Sequence, residues 1–511
     1  MATGRTTPMV KLIAMRLIAA SLIAVVLPCA VPPAGLPVRG SAVPTPLAVG
    51  YSSERALRGA LARHPGVVLR RLNALHIAEV RPAEPGFARA VRRLDGIGFV
   101  ERARPRSSAV EPALFLASPF GVPYEWEFQA THADAVPAAV LQAASSVTIA
   151  VIDTGADLAA PDLAAKSPGS YNVRTGTAAV SDTNGHGTFV SSLAAGSTTN
   201  SEGVAGFGGN ARLLVVKASR PDGTLTDLDE TNAIVYAVDH GARVINLSIG
   251  GPDTSATERR GIEYAAAHGV LLVAAVGNEF DQDNPVEFPA ALLQPVGSNG
   301  RGGVGLAVAA STPAGERAFF SNTGSHVSLA APGQGVFGAV ASTAPLSAYP
   351  RVALPGSTSG FYGFGSGTSF AAPQVAGAAA LVIAANPLLR ADEVAQILKE
   401  SASGRGLWTP SLGYGILDVA AAVARAQGRP SVSLTGIRER GRVRLTWFAQ
   451  DAARFRLQVS VNRGVSRSLL TSTGRTSTTF ALRSGRRYVF TLTALDSAGE
   501  ASASSVFSVR G

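Results

Sequence analysis

The stretch Val147-Thr148-Ile149-Ala150-Val151-Ile152-Asp153-Thr154-Gly155 decides the fold. It is a short, largely β-branched run with almost no polar alternation, so the strand it predicts is buried on both faces, as in a parallel sheet. The strand delivers a carboxylate, Asp153, at its C-terminal end, and in open α/β sheets that edge is where ligands bind. Similar apolar runs recur at Leu213–Val216, Val244–Leu247 and Val270–Ala275. Helical patterns lie between them at Gly187–Ala195, Thr226–His240 and Thr257–His268. The alternation predicts an α/β fold with a parallel sheet covered by helices on both faces. A last long helix, Ser369–Ala385, stops at Asn386-Pro387. Its apolar stretch is interrupted by Gln374 and is too short to span a membrane, so it reads as a core helix.

The flanks differ in kind. Residues 51–105 mix a helix-like Ser53–Arg63, strand-like Val67–Leu72 and His76–Val80, a helix at Pro85–Leu94 and a strand at Ile97–Arg102, a small α+β module. Pro105 to about Pro119 reads as a polar linker. Beyond a hinge at Gly428-Arg429-Pro430, period-two strands appear: Val443, Leu445, Trp447; then Phe455, Leu457, Val459; then Tyr488, Phe490, Leu492, Ala494. Turns such as Asn462-Arg463-Gly464 and Ser484-Gly485 separate them, and the segment reads as an all-β sandwich. The chain therefore divides into 1–42, 43–116, 117–428 and 429–511.

With 511 residues, 46% of them apolar and 16% charged, the chain is long enough for several domains and too apolar for disorder. The net charge of +10 hides an asymmetry. Residues 1–116 carry 16 Lys/Arg against 6 Asp/Glu, residues 429–511 carry 14 against 4, and the middle carries 15 against 25. An acidic centre between basic ends, without aromatics interleaved among the arginines, argues against nucleic acid as a partner. The single cysteine, Cys29, lies in the N-terminal apolar segment, which excludes a catalytic thiol, a disulfide framework or a Cys-ligated metal downstream. Arg5, Lys11 and Arg16 precede the apolar run Leu17–Leu27, and small residues follow. That order predicts a cleaved secretory signal, the competing reading being a membrane anchor for which the run is short.

Three further segments carry chemistry when taken together. Asn184-Gly185-His186-Gly187-Thr188 puts a histidine at the start of a helix, and Gly365-Ser366-Gly367-Thr368-Ser369-Phe370-Ala371-Ala372-Pro373 puts a serine at the mouth of the longest helix. Leu271-Leu272-Val273-Ala274-Ala275-Val276-Gly277-Asn278 runs a strand into an asparagine amide. A serine hydroxyl needs an imidazole to take its proton, and the imidazole needs a buried carboxylate to fix its tautomer. Alone, Ser369 is as well explained as a helix cap, and Asn278 as a turn residue. In the order Asp, His, Ser, the motifs resemble those of the subtilisin-like serine proteases, over roughly residues 120–425 and including Gly413-Tyr414-Gly415-Ile416-Leu417-Asp418. Phe189 departs from the family pattern, where histidine is common, at a position outside the triad.

The resemblance implies a serine endopeptidase with Asp153 as orienting carboxylate, His186 as general base and acid, Ser369 as nucleophile, and Asn278 as oxyanion donor. It implies that Asn246-Leu247-Ser248-Ile249-Gly250-Gly251 pairs with an extended polypeptide substrate through Ser248, Ile249 and Gly250. Small residues at Ser248, Gly250, Ala274, Ala275 and Gly277 predict a roomy, uncharged first pocket that prefers Phe, Leu, Tyr or Met. Glu279, Asp281 and Asp283 would act only as rim charges. No organic cofactor is implied. Asp162 and Asn200 stand where the family holds a structural calcium, although a polar surface loop without an ion explains them equally well. Residues 51–105, most clearly Gly98-Phe99-Val100-Glu101, resemble the family's propeptides, which inhibit their own catalytic domain. Residues 430–511 resemble a fibronectin type III-like sandwich, with either a spacer or a polymer-binding role. The expectation is a secreted zymogen with polypeptide substrates, its own propeptide as a partner, and no membrane span in the mature form.

Overall fold

The apolar runs become the strands of a single parallel sheet. The computed structural model describes residues 45–108, 124–346, 349, 351–352, 361–387, 389–428, 431–450, 454–495 and 501–511. The N-terminal signal segment with Cys29, most of the Pro105–Pro119 stretch and the Arg429-Pro430 hinge lie outside the described residues.

The N-terminal module holds β1 (Leu47–Tyr51), α1 (Glu54–Arg63), β2 (Gly66–Leu72), β3 (Ile77–Pro82), α2 (Phe87–Val91) and β4 (Ile97–Arg102). Its antiparallel sheet runs β2-β3-β1-β4. Ser53 caps α1, its side chain accepting from the Ala56 amide. The helix expected over Pro85–Leu94 is shorter, because Gly86 is left-handed (φ +88°) and the chain becomes helical only from Phe87. One expectation fails outright. Pro105–Ser108, expected to be linker, is a strand, β5.

The central sheet comprises β6 (Thr148–Asp153), β7 (Gly169–Asn172), β8 (Arg212–Lys217), β10 (Val244–Leu247), β12 (Leu271–Ala275), β13 (Gly305–Ser311) and β14 (Leu329–Pro332). The two short strands between them are β9 (Leu225–Thr226) and β11 (Ile249–Gly250). The sheet order is β14-β13-β12-β10-β6-β8-β7, with every pair parallel. From β6 the chain goes to the edge at β7, returns through β8 beside β6, and then crosses to β10 and builds outward to β14, so the direction of winding reverses between β6 and β10. Such a switch point opens a crevice at the strand C-termini, beside Asp153.

Both faces are buried, which is why the strands read as continuous apolar runs. Ile149, Val151, Leu271 and Val273 enter one core cluster with α3 (His186–Ala195) and α6 (Thr368–Ala385). Ala150, Ile152, Leu272 and Ala274 enter the other, with α4 (Asp227–Asp239) and α5 (Ala256–Ala267). The α6 helix, expected to be too short for a membrane span, is long and apolar enough to cross one, but that window is 94% buried within the protein, and burial rather than length makes it a core helix.

The C-terminal strands form two antiparallel sheets of three and four strands. Val443, Leu445, Trp447, Phe455, Leu457, Val459, Tyr488, Phe490, Leu492 and Ala494 fill one core between them. Asn462 and Arg463 both adopt positive φ (51° and 63°), and the Tyr488 hydroxyl accepts from the Arg483 amide at 2.9 Å, a tyrosine corner.

Candidate active site

Three elements bring Asp153, His186 and Ser369 to the sheet's C-terminal edge. Asp153 ends β6, fully buried, and its Oδ1 accepts from the Thr154 amide at 2.6 Å and pairs with His186 Nδ1 at 2.7 Å. The close approach of the two segments needs glycine. A Cβ on Gly187 would lie 2.1 Å from the Gly155 carbonyl oxygen. Asp182, which sequence reading missed, ties the histidine turn together. Its carboxylate accepts from the amides of Gly185 (2.8 Å) and Thr188 (2.8 Å) and from the hydroxyls of Thr154 (2.9 Å) and Thr188 (2.7 Å). An Asp four residues before the histidine, at the entry to a helix, is the signal that would have found it.

His186 Nε2 is buried and has no hydrogen-bond partner among the described residues. Ser369 sits in the first turn of α6, and its hydroxyl donates to the Ser248 carbonyl at 3.1 Å instead of to the imidazole. Catalytic hydrogen bonds are often loose until substrate engages. Phe189 packs at a tilt against Phe370 with ring centroids 4.3 Å apart, and the His186 ring lies 5.8 Å from the same phenylalanine. The residue that departs from the family pattern thus backs the phenylalanine that faces the histidine.

Asn278 is oriented by Thr368. The Thr368 amide (3.0 Å) and hydroxyl (2.9 Å) both donate to Asn278 Oδ1, so the amide nitrogen faces away from them, buried and without a partner among the described residues. An unsatisfied buried donor beside a serine at a helix N-terminus is an arrangement that can receive negative charge. Thr368 is a second residue that the motif reading passed over.

Ser248, Ile249 and Gly250 line the strand expected to bind substrate, and that strand is paired. β5 lies antiparallel to β11, with Ser108 opposite Ile249 and Ser107 opposite Gly250, and on its other side pairs with β9. The N-terminal module around it is anchored by charge. Arg70 pairs with Asp229 at 3.0 Å, and the Glu101 carboxylate accepts from the Ala256 (3.3 Å) and Thr257 (2.9 Å) amides at the start of α5. Ala48, Leu72, Leu75 and Ile77 pack on Leu228 and Val235 of α4.

The first pocket is not uncharged. Ala274 and Ala275 are buried in the sheet as expected, but Glu287, which the sequence reading did not weigh, lies across the space between the two glycines. A Cβ on Gly250 would be 2.1 Å from Glu287 Oε2, and one on Gly277 would be 2.8 Å from Glu279 Oε2 and 2.9 Å from Glu287 Oε2. Burial, reinforced by the neighbouring Glu279 charge, pushes the Glu287 carboxyl up to about 8.

Asp162 and Asn200 do meet, at 3.0 Å, with the Asn200 amide nitrogen donating to Asp162 Oδ1 rather than supplying a second oxygen. Asp162 Oδ2 is buried, and the Tyr362 hydroxyl beside the carboxylate favours its ionised form. Burial raises the Asp162 carboxyl to about 6 and the Glu125 carboxyl to about 7, the latter also through the Asp162 charge. No three His, Cys, Asp or Glu side chains among the described residues group as a metal site. The buried Asp162 carboxylate, and its charge acting on Glu125, nonetheless fit a cation that draws its remaining oxygens from backbone carbonyls.

The fold, with a carboxylate, a histidine and a serine brought to one sheet edge, points to the class of serine-type hydrolases. Residues 144–415 match the model of the Subtilase family, peptidase S8. The chain is similar to the thermophilic serine proteinase of Bacillus sp. strain AK1, 36% identical over 243 residues, 48% of this chain and 53% of the relative. It is also similar to thermitase of Thermoactinomyces vulgaris, 35% identical over 238 residues, 47% of this chain and 75% of the relative. Fervidolysin from Fervidobacterium pennivorans shares the fold with a TM-score of 0.64 at 21% identity, over 91% of this chain and 76% of that one. The chain belongs to the subtilase family of serine-type endopeptidases.

Proposed function

We propose that this chain is a secreted serine endopeptidase made as a zymogen, with the boundaries 1–42 for the signal, 43–116 for the propeptide and linker, 117–428 for the catalytic domain and 429–511 for a fibronectin type III-like sandwich. One observation carries the reading. The unpartnered His186 Nε2, the Ser369 hydroxyl and the unpartnered Asn278 amide nitrogen belong to residues assembled at one sheet edge, and an extended strand lies along the substrate-binding segment. In the reaction, Ser369 Oγ leaves the Ser248 carbonyl, gives its proton to His186 Nε2 and attacks the scissile carbonyl. Asp153 holds the imidazolium that forms. The oxyanion is held by Asn278 Nδ2 and the Ser369 backbone N–H, and His186 returns the proton to the leaving amine. Water then hydrolyses the acyl-enzyme by the same route. A calcium held by Asp162 and Asn200 would brace the loop that follows α3 and takes no part in these steps.

The basic, apolar and small-residue order of the first 42 residues supports export, and a basic propeptide on an acidic catalytic domain supports rapid docking. With β5 on the substrate strand, the module of residues 45–108 closes the site it is to be cut from. Ser369→Ala tests both parts: it is expected to abolish proteolysis and to leave the chain uncut between residues 105 and 120, read by intact mass. Normal maturation in that variant would mean that another protease removes the propeptide. Retained hydrolysis would overturn the nucleophile.

A further inference from the structure

The side chain of Arg106 is fully buried although it belongs to a short, polar strand. Its Nε meets Glu230 Oε2 at 3.2 Å, its Nη2 meets Glu258 Oε1 at 2.6 Å, and its Nη1 donates to the Pro105 carbonyl at 2.9 Å. The two glutamates come from different helices, α4 and α5, and both side chains are fully buried. Glu258 is held in turn by the Thr254 hydroxyl at 2.7 Å, while Glu230 Oε1 is buried with no partner among the described residues. Asp227 adds a third carboxylate nearby, its Oδ1 accepting from the Arg104 amide at 2.7 Å. Burial works against the Arg106 charge, and the carboxylates outweigh it, so its pKa is raised.

Buried glutamates are costly unless paired, and here the partner arrives on the strand that occupies the substrate groove. The residues that hold it belong to the catalytic domain and remain when that strand leaves. Substrate in the same groove takes the same register. Ser108 faces Ile249, so the position of Arg106 is two residues before the one opposite Ile249 and three before the one opposite Ser248, whose carbonyl holds the nucleophile.

We propose that Glu230 and Glu258 form a pocket that selects an arginine side chain of the polypeptide substrate, three residues before the residue that comes opposite Ser248. This rests on the endopeptidase reading. Arginine suits the pocket better than lysine, because its planar fork reaches two carboxylates on different helices at once. Arg106 is then the propeptide's own copy of a preferred substrate residue, followed by the small Ser107 and Ser108.

The test uses the full chain after maturation and two labelled peptides that differ only in Arg or Leu at that position. Arginine is expected to raise kcat/KM by about 30-fold or more, as for a desolvated charge pair. Glu230→Gln with Glu258→Gln is expected to remove that preference while the Leu peptide is cut within a few-fold of the unsubstituted rate. Since those changes leave Arg106 buried without a counter-charge, they are made with Arg106→Gln in the same chain, so that folding does not depend on the lost pair. Cleavage of both peptides at equal rates, or a preference that survives the substitutions, would overturn the pocket and leave the endopeptidase reading intact. If neither peptide is cut, anisotropy of the same two peptides decides: tighter binding of the Arg peptide supports the pocket, and equal binding reduces Arg106 to an anchor of the propeptide.

Discussion

The Ser369 hydroxyl donates to the Ser248 carbonyl at 3.1 Å, and the Ser248 hydroxyl donates to the Ser369 carbonyl at 2.7 Å. The backbone of the proposed nucleophile and the first residue of the proposed substrate strand are thus locked to each other. Asn246 Nδ2 also donates to the Ser248 hydroxyl, at 2.9 Å, which fixes its orientation. Substrate bound along Ile249–Gly250 is therefore registered against the nucleophile through one residue.

Ser248→Ala breaks that lock and leaves the buried Asn246 amide without its acceptor. An unsatisfied buried group costs about 1–3 kcal/mol. The variant is expected to melt several degrees lower and to lose about tenfold in kcat through misplacement of Ser369. Thermal unfolding and kcat on one peptide check both. A full loss of stability without change in kcat would leave Ser248 a packing residue.

Asn278→Ala is expected to lower kcat by about 100- to 1,000-fold with little change in KM, a magnitude established on this same family. Thr368→Val tests the orientation of the amide. It removes the hydroxyl that, with the Thr368 amide, holds Asn278 Oδ1, and is expected to lower kcat about tenfold. The two effects should not add, because Thr368 acts through Asn278, and the double variant should match Asn278→Ala alone.

The Asp162 region yields a stability prediction. Two carboxylates raised by burial, Glu125 also by the Asp162 charge, relax when a cation binds the native state, and native-state binding raises the melting temperature by mass action. EDTA is expected to lower Tm, excess calcium to restore it, and Asp162→Asn to abolish the response while the protein still folds. An unchanged Tm on adding EDTA would dispose of the ion.

What could be read in advance, and what could not, follows from where the information sits. β6, β10 and β12 are legible because both faces are buried, so their residues are mostly apolar on both sides. The triad positions are legible because their glycines and helix starts are local. Pro105-Arg106-Ser107-Ser108 contains no apolar residue that would mark a strand. It is ordered by the edges of β9 and β11, which lie far away in sequence. Glu230 and Glu258, near the starts of their helices, look like ordinary complements to the helix dipole, and only the tertiary fold turns them inward. Gly305–Ser311 and Leu329–Pro332 are Ala- and Gly-rich runs without a β-branched majority, so their strand state is decided by neighbours rather than propensity.

Glu287 reverses the expectation for the first pocket. Small, uncharged walls would favour a large apolar side chain by about 1.5–3 kcal/mol, but that gain requires the space to be empty of carboxylates. Glu287 and Glu279 stand between Gly250 and Gly277, so an apolar side chain entering there would bury them further, while a lysine or arginine would compensate them. The sign of the pH effect follows. With the Glu287 carboxyl raised to about 8, it carries a proton below that pH and a negative charge above it, so attraction for a basic side chain grows as the pH rises through that value. The expected profile is a preference for Lys or Arg over Leu that strengthens between about pH 7 and 9, measured as the ratio of kcat/KM for matched peptides. Glu287→Gly is expected to open the pocket, return the preference to Phe and Leu, and flatten the pH dependence of the ratio. A preference for apolar residues at pH 9 in the unsubstituted enzyme would show that substrate swings Glu287 out of the pocket.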